Sequence, residues 1–153
     1  MQSMTDLDPI SRNILQALES DGRISNTDLA TRIGLSPSAC LRRVQDLERQ
    51  GYILGYRAVL NRPKLGAAIT IFVMVGLSAH LKKDAQAFER AMAAAPDVRE
   101  CHNITGSVEY LLRVEVADLE TYKAFHADIL GTLPQVNSIT SYISLGSPKD
   151  LRA

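Results

Sequence analysis

Two arginines stand side by side in the stretch LSPSACLRRVQDLERQGYILGY, residues 35 to 56, just after a run of small and hydroxylated residues. A guanidinium presents a planar fork of donors that matches a guanine edge or a phosphate. Serine hydroxyls beside the positive end of a helix donate to phosphate oxygens. Ser36, Ser38, Ala39, Arg42, Arg43 and Arg49 are therefore the candidate contacts to double-stranded DNA. A second constellation lies in NITGSVEY, residues 103 to 110. Gly106 lets the backbone turn sharply, so that amides from Thr105 to Ser107 form a nest for a carboxylate. Glu109 offers its own carboxylate to an ammonium in a charge-assisted contact. An amino acid carries both groups. Asn103, Tyr142 and Ser144 are expected nearby, and the polar groups of Asn103 and Ser144 favour a small or polar ligand.

The bulk composition is compatible with this but does not announce it. The chain has 153 residues, 46% hydrophobic and 22% charged, and its basic and acidic residues number 17 each. That is a globular balance suited to one ordinary domain or two small ones. Charge is unevenly placed. From Cys40 to Lys64 there are six basic residues against two acidic ones, whereas the preceding residues carry three against five. A local electrostatic footprint for a polyanion has this form.

Other classes find no support. Cys40 and Cys101 have neither CxxC spacing nor histidine partners, so no disulfide framework or metal site is expected. The opening MQSMTDLDPI lacks a basic flank followed by an apolar run, and AAITIFVMVGL is too short for a membrane helix. A cytoplasmic protein with no cofactor is expected. No catalytic Ser/His/Asp set or phosphate loop is visible.

The elements that must position these residues follow from caps and periodicity. Asp8-Pro9 is an N-cap with proline at the first helical position, and Ile10, Ile14 and Leu18 mark one face of the helix that Asp21-Gly22 ends. Ser25 with Asp28 resembles a capping box for a short second helix with Leu29 and Ile33, closed by Gly34. Ser36-Pro37 starts a third helix that Gly51 terminates. Three short helices with tight connections form a helix-turn-helix. On a wheel of about 100° per residue, Cys40, Leu41, Val44 and Leu47 form the core side of the third helix. Ser38, Ala39, Arg42, Asp46 and Arg49 lie opposite, with Arg43 on the flank. YILGYRAVLN then offers two β-prone runs around Gly55, a hairpin-like wing, and RPKLGA is a turn-rich linker.

Beyond it the order is strand 69–77, helix 82–94, strand 98–104, strand 109–116, helix 119–133 and strand 136–144, a ferredoxin-like βαββαβ pattern. The expected organisation is α+β: a winged helix-turn-helix domain over residues 1–61, a linker over 62–67, and a ferredoxin-like effector-sensing and oligomerisation domain over 68–153. The strand ITIFVMVGL places Ile69, Ile71, Val73 and Val75 on one side and Thr70, Phe72, Met74 and Gly76 on the other. With both sides mostly apolar, a second sheet is the expected cover, so the chain is not expected to be a monomer.

The pieces DGRISN, GLSPSACLRRV, LERQGYI and GYRAVLN, with VRECHNITGSVEYLLRVEVADLETY and LPQVNSITSYISL downstream, resemble the leucine-responsive regulatory protein / AsnC family of feast/famine regulators over nearly the whole chain. The resemblance implies a DNA-binding transcriptional regulator that works as a homodimer, often gathered into octamers, with amino-acid effectors held at contacts between dimers. Two departures stand out. Ser11 stands where the family's LDxxDRxIL motif has Asp, which implies the loss of a surface contact; Glu109 stands where its GxxDY motif has Asp, which implies a smaller or differently tilted pocket.

Two alternatives are weighed. CHNITG, with His102 and Asn103, faintly resembles the tetrapyrrole (sirohaem) decarboxylases, which share this layout and use His and Arg to bind propionates and move protons. Their second histidine and following aromatic residues are replaced here by SVEYLLRV, while His80 falls in a loop and His126 on a helix. A ligand-sensing assembly module without DNA binding is the other alternative, and the outward arginines count against it.

Overall fold

The computed structural model describes residues 7–78 and 81–150. The chain divides into two compact units, Met1–Ala58 and Val59–Ala153.

The first unit is built from α1 (Pro9–Ser20), α2 (Asn26–Ile33) and α3 (Pro37–Arg49). Each begins at the expected cap. The Ser11 amide donates to Asp8, the Asp28 amide to Ser25 and the Ala39 amide to Ser36. The Ser25 hydroxyl also donates to the Asp28 carboxylate at 2.6 Å, so the two side chains of the expected capping box are joined. Gly34 and Gly51 end α2 and α3 with φ of 78° and 79°, a region that side chains disfavour. Ile14, Ala17, Leu29, Ala30, Cys40 and Leu47 form the core.

Three expectations are corrected here. Leu41 is 48% exposed and lies outside this core. The helix is seated on Cys40 and Leu47, which leaves a residue one position after Cys40 on the flank that faces solvent. Ser11 is not a surface residue: it is 5% exposed, donates to Asp8 Oδ2 at 2.9 Å and accepts from Arg43 at 3.2 Å. The wing is absent as a strand pair, because residues 53–60 adopt no regular structure. Tyr52 and Ile53 pack on the core, but Leu54 is 96% exposed and Val59 and Leu60 are exposed as well. An isolated two-stranded hairpin with no sheet to extend is marginal in water.

The second unit opens with a short 3₁₀ turn, Pro63–Leu65, within the segment read as a linker. It continues with β1 (Ile69–Leu77), α4 (Lys82–Ala94), β2 (Val98–Asn103), β3 (Tyr110–Val116), α5 (Leu119–Ala124) and β4 (Val136–Ile143). The strands form one antiparallel sheet in the order β2-β3-β1-β4. Alternation decides its two faces. Ile71, Val73 and Val75 join Tyr110, Leu112 and Val114 beneath Phe88 and Met92 of α4 and Tyr122 and Phe125. The expected single helix from 119 to 133 instead passes from α5 into a π turn, Phe125–Ile129, and a 3₁₀ turn, Leu130–Thr132. Gly131 is a poor helix former, and the Thr132 hydroxyl donates to the carbonyls of Asp128 and Ile129 in competition with the helix ladder.

The other face of the sheet is less apolar than the β1 pattern alone suggests. Its centre is an ion network. Arg113 reaches Glu115 at 2.9 Å, Glu100 at 3.2 Å and Asp150 at 3.2 Å, and Arg62 reaches Glu115 at 2.8 Å. Arg62, read as part of the linker, is thus tied to β3.

Candidate DNA-binding helix and effector pocket

The three arginines of α3 have three different fates. Arg43 pairs with Asp8 at 2.6 Å and donates to Ser11, so its guanidinium fastens α3 to the start of α1. Arg49 pairs with Asp46 at 2.5 Å on the solvent side. Arg42 is exposed and has no hydrogen-bond or ion-pair partner among the described residues. Ser36 and Ser38 are exposed at the helix start with their hydroxyls 3.3 Å apart, while Ala39 is half-buried. The outward face of α3 is therefore Ser38, Leu41, Arg42, Gln45 and Arg49. Leu41 and Gln45 were missed by the sequence reading. A wheel centred on the two buried positions, Cys40 and Leu47, would have found them.

The fastening of Arg43 has a pH signature. The Ser11 amide above all holds the Asp8 carboxyl down from 3.8 to about 2; desolvation, next in size, opposes it, and the Ser11 hydroxyl and then Arg43 lower it further. A carboxyl depressed on folding stabilises the native state above its unfolded pKa, and that contribution is lost as pH falls through the folded value. We expect the helical unit to lose stability between about pH 4 and pH 2. Asp8→Asn keeps a capping oxygen but has nothing to titrate, so its urea midpoint should change less over that window. Parallel pH profiles for the two proteins would show that Asp8 makes no such contribution.

The second site is a cavity of about 430 Å³ at one end of the sheet. Asn103, Thr105, Gly106 and Glu109 line it, as expected, together with Leu77 at the end of β1 and Lys82 and Ala85 at the start of α4. Gly106 has φ of 146°, outside the range that side chains prefer. Glu109 is anchored, its Oε2 accepting from the Leu77 amide at 2.6 Å. Tyr110 donates to Glu89 at 2.7 Å, and burial first, then that bond, pushes its hydroxyl up to about 12. Lys82 is the cation that the sequence reading missed. Ser107 is in the turn but does not line the cavity.

Tyr142 and Ser144 are corrected: they do not approach this cavity within one chain. Tyr142 pairs with Phe72, and the Ser144 amide donates to Thr70. Leu77, beside the cavity, is seven residues further along β1, roughly 23 Å at about 3.3 Å per residue. Because β4 runs antiparallel to β1, its last residues meet the first residues of β1, a consequence already implicit in the βαββαβ order. His102 is exposed and bonded to Glu100 at 3.1 Å, away from the cavity. His126 lies in the π turn, and His80 lies outside the described residues.

Two segments of the chain match known family models. Residues 7–53 match the winged helix-turn-helix DNA-binding model, and residues 70–153 match the Lrp/AsnC ligand binding domain. The chain belongs to the Lrp/AsnC family of transcriptional regulators. The leucine-responsive regulatory protein of Escherichia coli (strain K12) is 42% identical over 94% of this chain and 88% of its own length. Among solved structures, a Neisseria meningitidis transcriptional regulator in complex with L-Met superposes with a TM-score of 0.90 at 31% identity, covering 94% of this chain and 93% of its own. An AsnC family regulator from Agrobacterium tumefaciens gives 0.89 at 30% identity, covering 94% of each chain.

As an Lrp/AsnC regulator the chain is a DNA-binding protein with a ligand-binding domain. Its two departures from the family motifs acquire structural meaning. Ser11 sits inside the Asp8–Arg43 clamp, and Glu109 stands at the mouth of β3 where the cavity is formed.

Proposed function

We propose that this Lrp/AsnC regulator binds double-stranded DNA as a homodimer through α3, and that an amino acid in the cavity beside residues 103–110 modulates that binding. The unpaired Arg42 carries the DNA reading. An arginine left without a carboxylate among the described residues, on an otherwise compensated helix, is poised for an external acceptor, whether base edge or phosphate. Ser36 and Ser38 are placed to donate to phosphates at the helix start. Arg49 is placed for phosphate contact on the flank, whereas Arg43 serves the fold. A dimer would present two copies of α3 to half-sites spaced by about one helical turn or a multiple. The open face of the sheet is the surface we assign to the second copy, with further assembly to an octamer as an extension of it. A mobility shift on the duplex upstream of the protein's own gene tests the DNA reading. A shift that needs more protein after Arg42→Ala supports it, and no shift on that or any selected duplex opposes it.

The effector reading rests on opposite charges lining one cavity. Lys82 and the amides around Gly106 suit a carboxylate, and Glu109 suits an ammonium. The Neisseria relative is in complex with L-Met, which supports the amino-acid class. Asn103 favours a small or polar side chain here. In a thermal-shift screen of the common amino acids, a genuine effector raises the melting temperature in proportion to ln(1 + [L]/Kd). Glu109→Gln keeps an oxygen for the Leu77 amide but loses the charge, so it should retain the fold and DNA binding and lose this response. An identical response in both proteins would place the ligand elsewhere.

A further inference from the structure

We propose that Leu41 and Gln45 determine which bases α3 reads, Leu41 packing on a thymine methyl and Gln45 taking an adenine edge. The half-site then joins A·T pairs to the G·C pair taken by Arg42. This rests on the DNA-binding reading above. One apolar side chain of α3 lies in an unexpected place. Of the large apolar residues of α3, Leu47 is buried and Val44 is half-buried against the core, but Leu41 is 48% exposed. It stands among polar residues on the outward face. Leucine has nothing to offer a phosphate, and the apolar group that base pairs present in the major groove is the C5-methyl of thymine.

Gln45 supplies the second observation. It is exposed and, like Arg42, has no hydrogen-bond partner among the described residues. Its carboxamide holds one acceptor and two donors, the complement of adenine N6 and N7. Position makes the three residues one surface. Gln45 is four residues from Leu41 and three from Arg42, so it neighbours both on the helix and joins them into one patch. Arg42 and Gln45 differ by about 4.5 Å along the axis, close to the roughly 3.4 Å step between base pairs. Adjacent pairs are therefore within reach of the two side chains. Glu48, two turns beyond Leu41, marks the end of this patch. It accepts from Tyr56 at 2.9 Å and carries the wrong charge for a phosphate.

The test uses the full-length protein and a library of randomised duplexes. Selection should enrich half-sites in which a thymine lies next to a guanine. Replacing that thymine with deoxyuridine removes the methyl and preserves every base-pair hydrogen bond. Wild type should lose about fourfold in affinity, the value of one buried methyl group. Leu41→Ala should bind both duplexes equally, and Gln45→Ala should relax selection at a single adenine. Equal uracil penalties in wild type and Leu41→Ala, or enrichment without A·T pairs beside the guanine, would overturn the assignment while leaving DNA binding intact. Failure of wild type to enrich any duplex would overturn both readings. Leu41 is exposed, so Leu41→Ala should melt with wild type, and the uracil comparison on wild type needs no variant.

Discussion

Arg42→Ala is expected to weaken binding to a selected operator by about five- to 150-fold, the equivalent of 1–3 kcal/mol for a bidentate base contact. Stability should not change, because Arg42 is exposed and holds no other described residue. Arg43→Ala is expected to behave in the opposite way. It releases Asp8 and Ser11 at the junction of α1 and α3, so the helical unit should melt earlier. Fluorescence anisotropy at several salt concentrations separates the possible contacts of Arg42. Loss of a base contact relaxes specificity, whereas loss of a phosphate contact weakens all sequences alike and lowers the salt slope by about one.

Glu115→Ala is expected to destabilise the second unit by about 3–5 kcal/mol, the usual cost of removing one partner from a buried ion pair. The Glu115 side chain is 5% exposed and lies 2.8 Å from Arg62, 2.9 Å from Arg113 and 3.8 Å from Arg99. Arg113 is 12% exposed, and its Nε already lacks a hydrogen-bond partner. Taking away Glu115 leaves a guanidinium in a poorly solvated place with only Glu100 and Asp150 to compensate it. Glu115→Gln, which keeps polar contacts but removes the charge, should fall between. The urea midpoint checks both. Since this network occupies the sheet face assigned to the second copy, Glu115→Ala should also shift the light-scattering mass towards the monomer. An unchanged midpoint would mean that the network is replaceable by water.

Much of the architecture is legible in local signals. Asp8, Ser25 and Ser36 cap their helices because each is a short acceptor followed by a free amide. The strand over 69–77 is legible as a short, β-branched apolar run, and it and the helix over 82–94 have the expected bounds. Less legible is everything set by how elements meet. The wheel for α3 was turned too far, because hydrophobicity alone assigns Leu41 to the core, and the seating on Cys40 and Leu47 depends on α1 and α2. The role of Ser11 needed the approach of Arg43 from 32 residues away in sequence. In the effector site, the turn and Glu109 were visible as a motif, but Lys82 reaches the cavity only through the packing of α4. Tyr142 and Ser144 were drawn in by motif, against the antiparallel register that carries them to the far end of β1. The wing failed for a different reason: β-prone residues specify a strand only where a partner edge exists.

The central claim is that α3 reads DNA through Arg42 and is held in place by Arg43. The ratio of affinities for a selected and a scrambled duplex, measured by anisotropy at one salt concentration for wild type, Arg42→Ala and Arg43→Ala, tests it most directly. The account predicts that the ratio falls by about five- to 150-fold in Arg42→Ala, the equivalent of one base contact, and survives in folded Arg43→Ala. A ratio retained in full by Arg42→Ala, or lost only in Arg43→Ala, would contradict it.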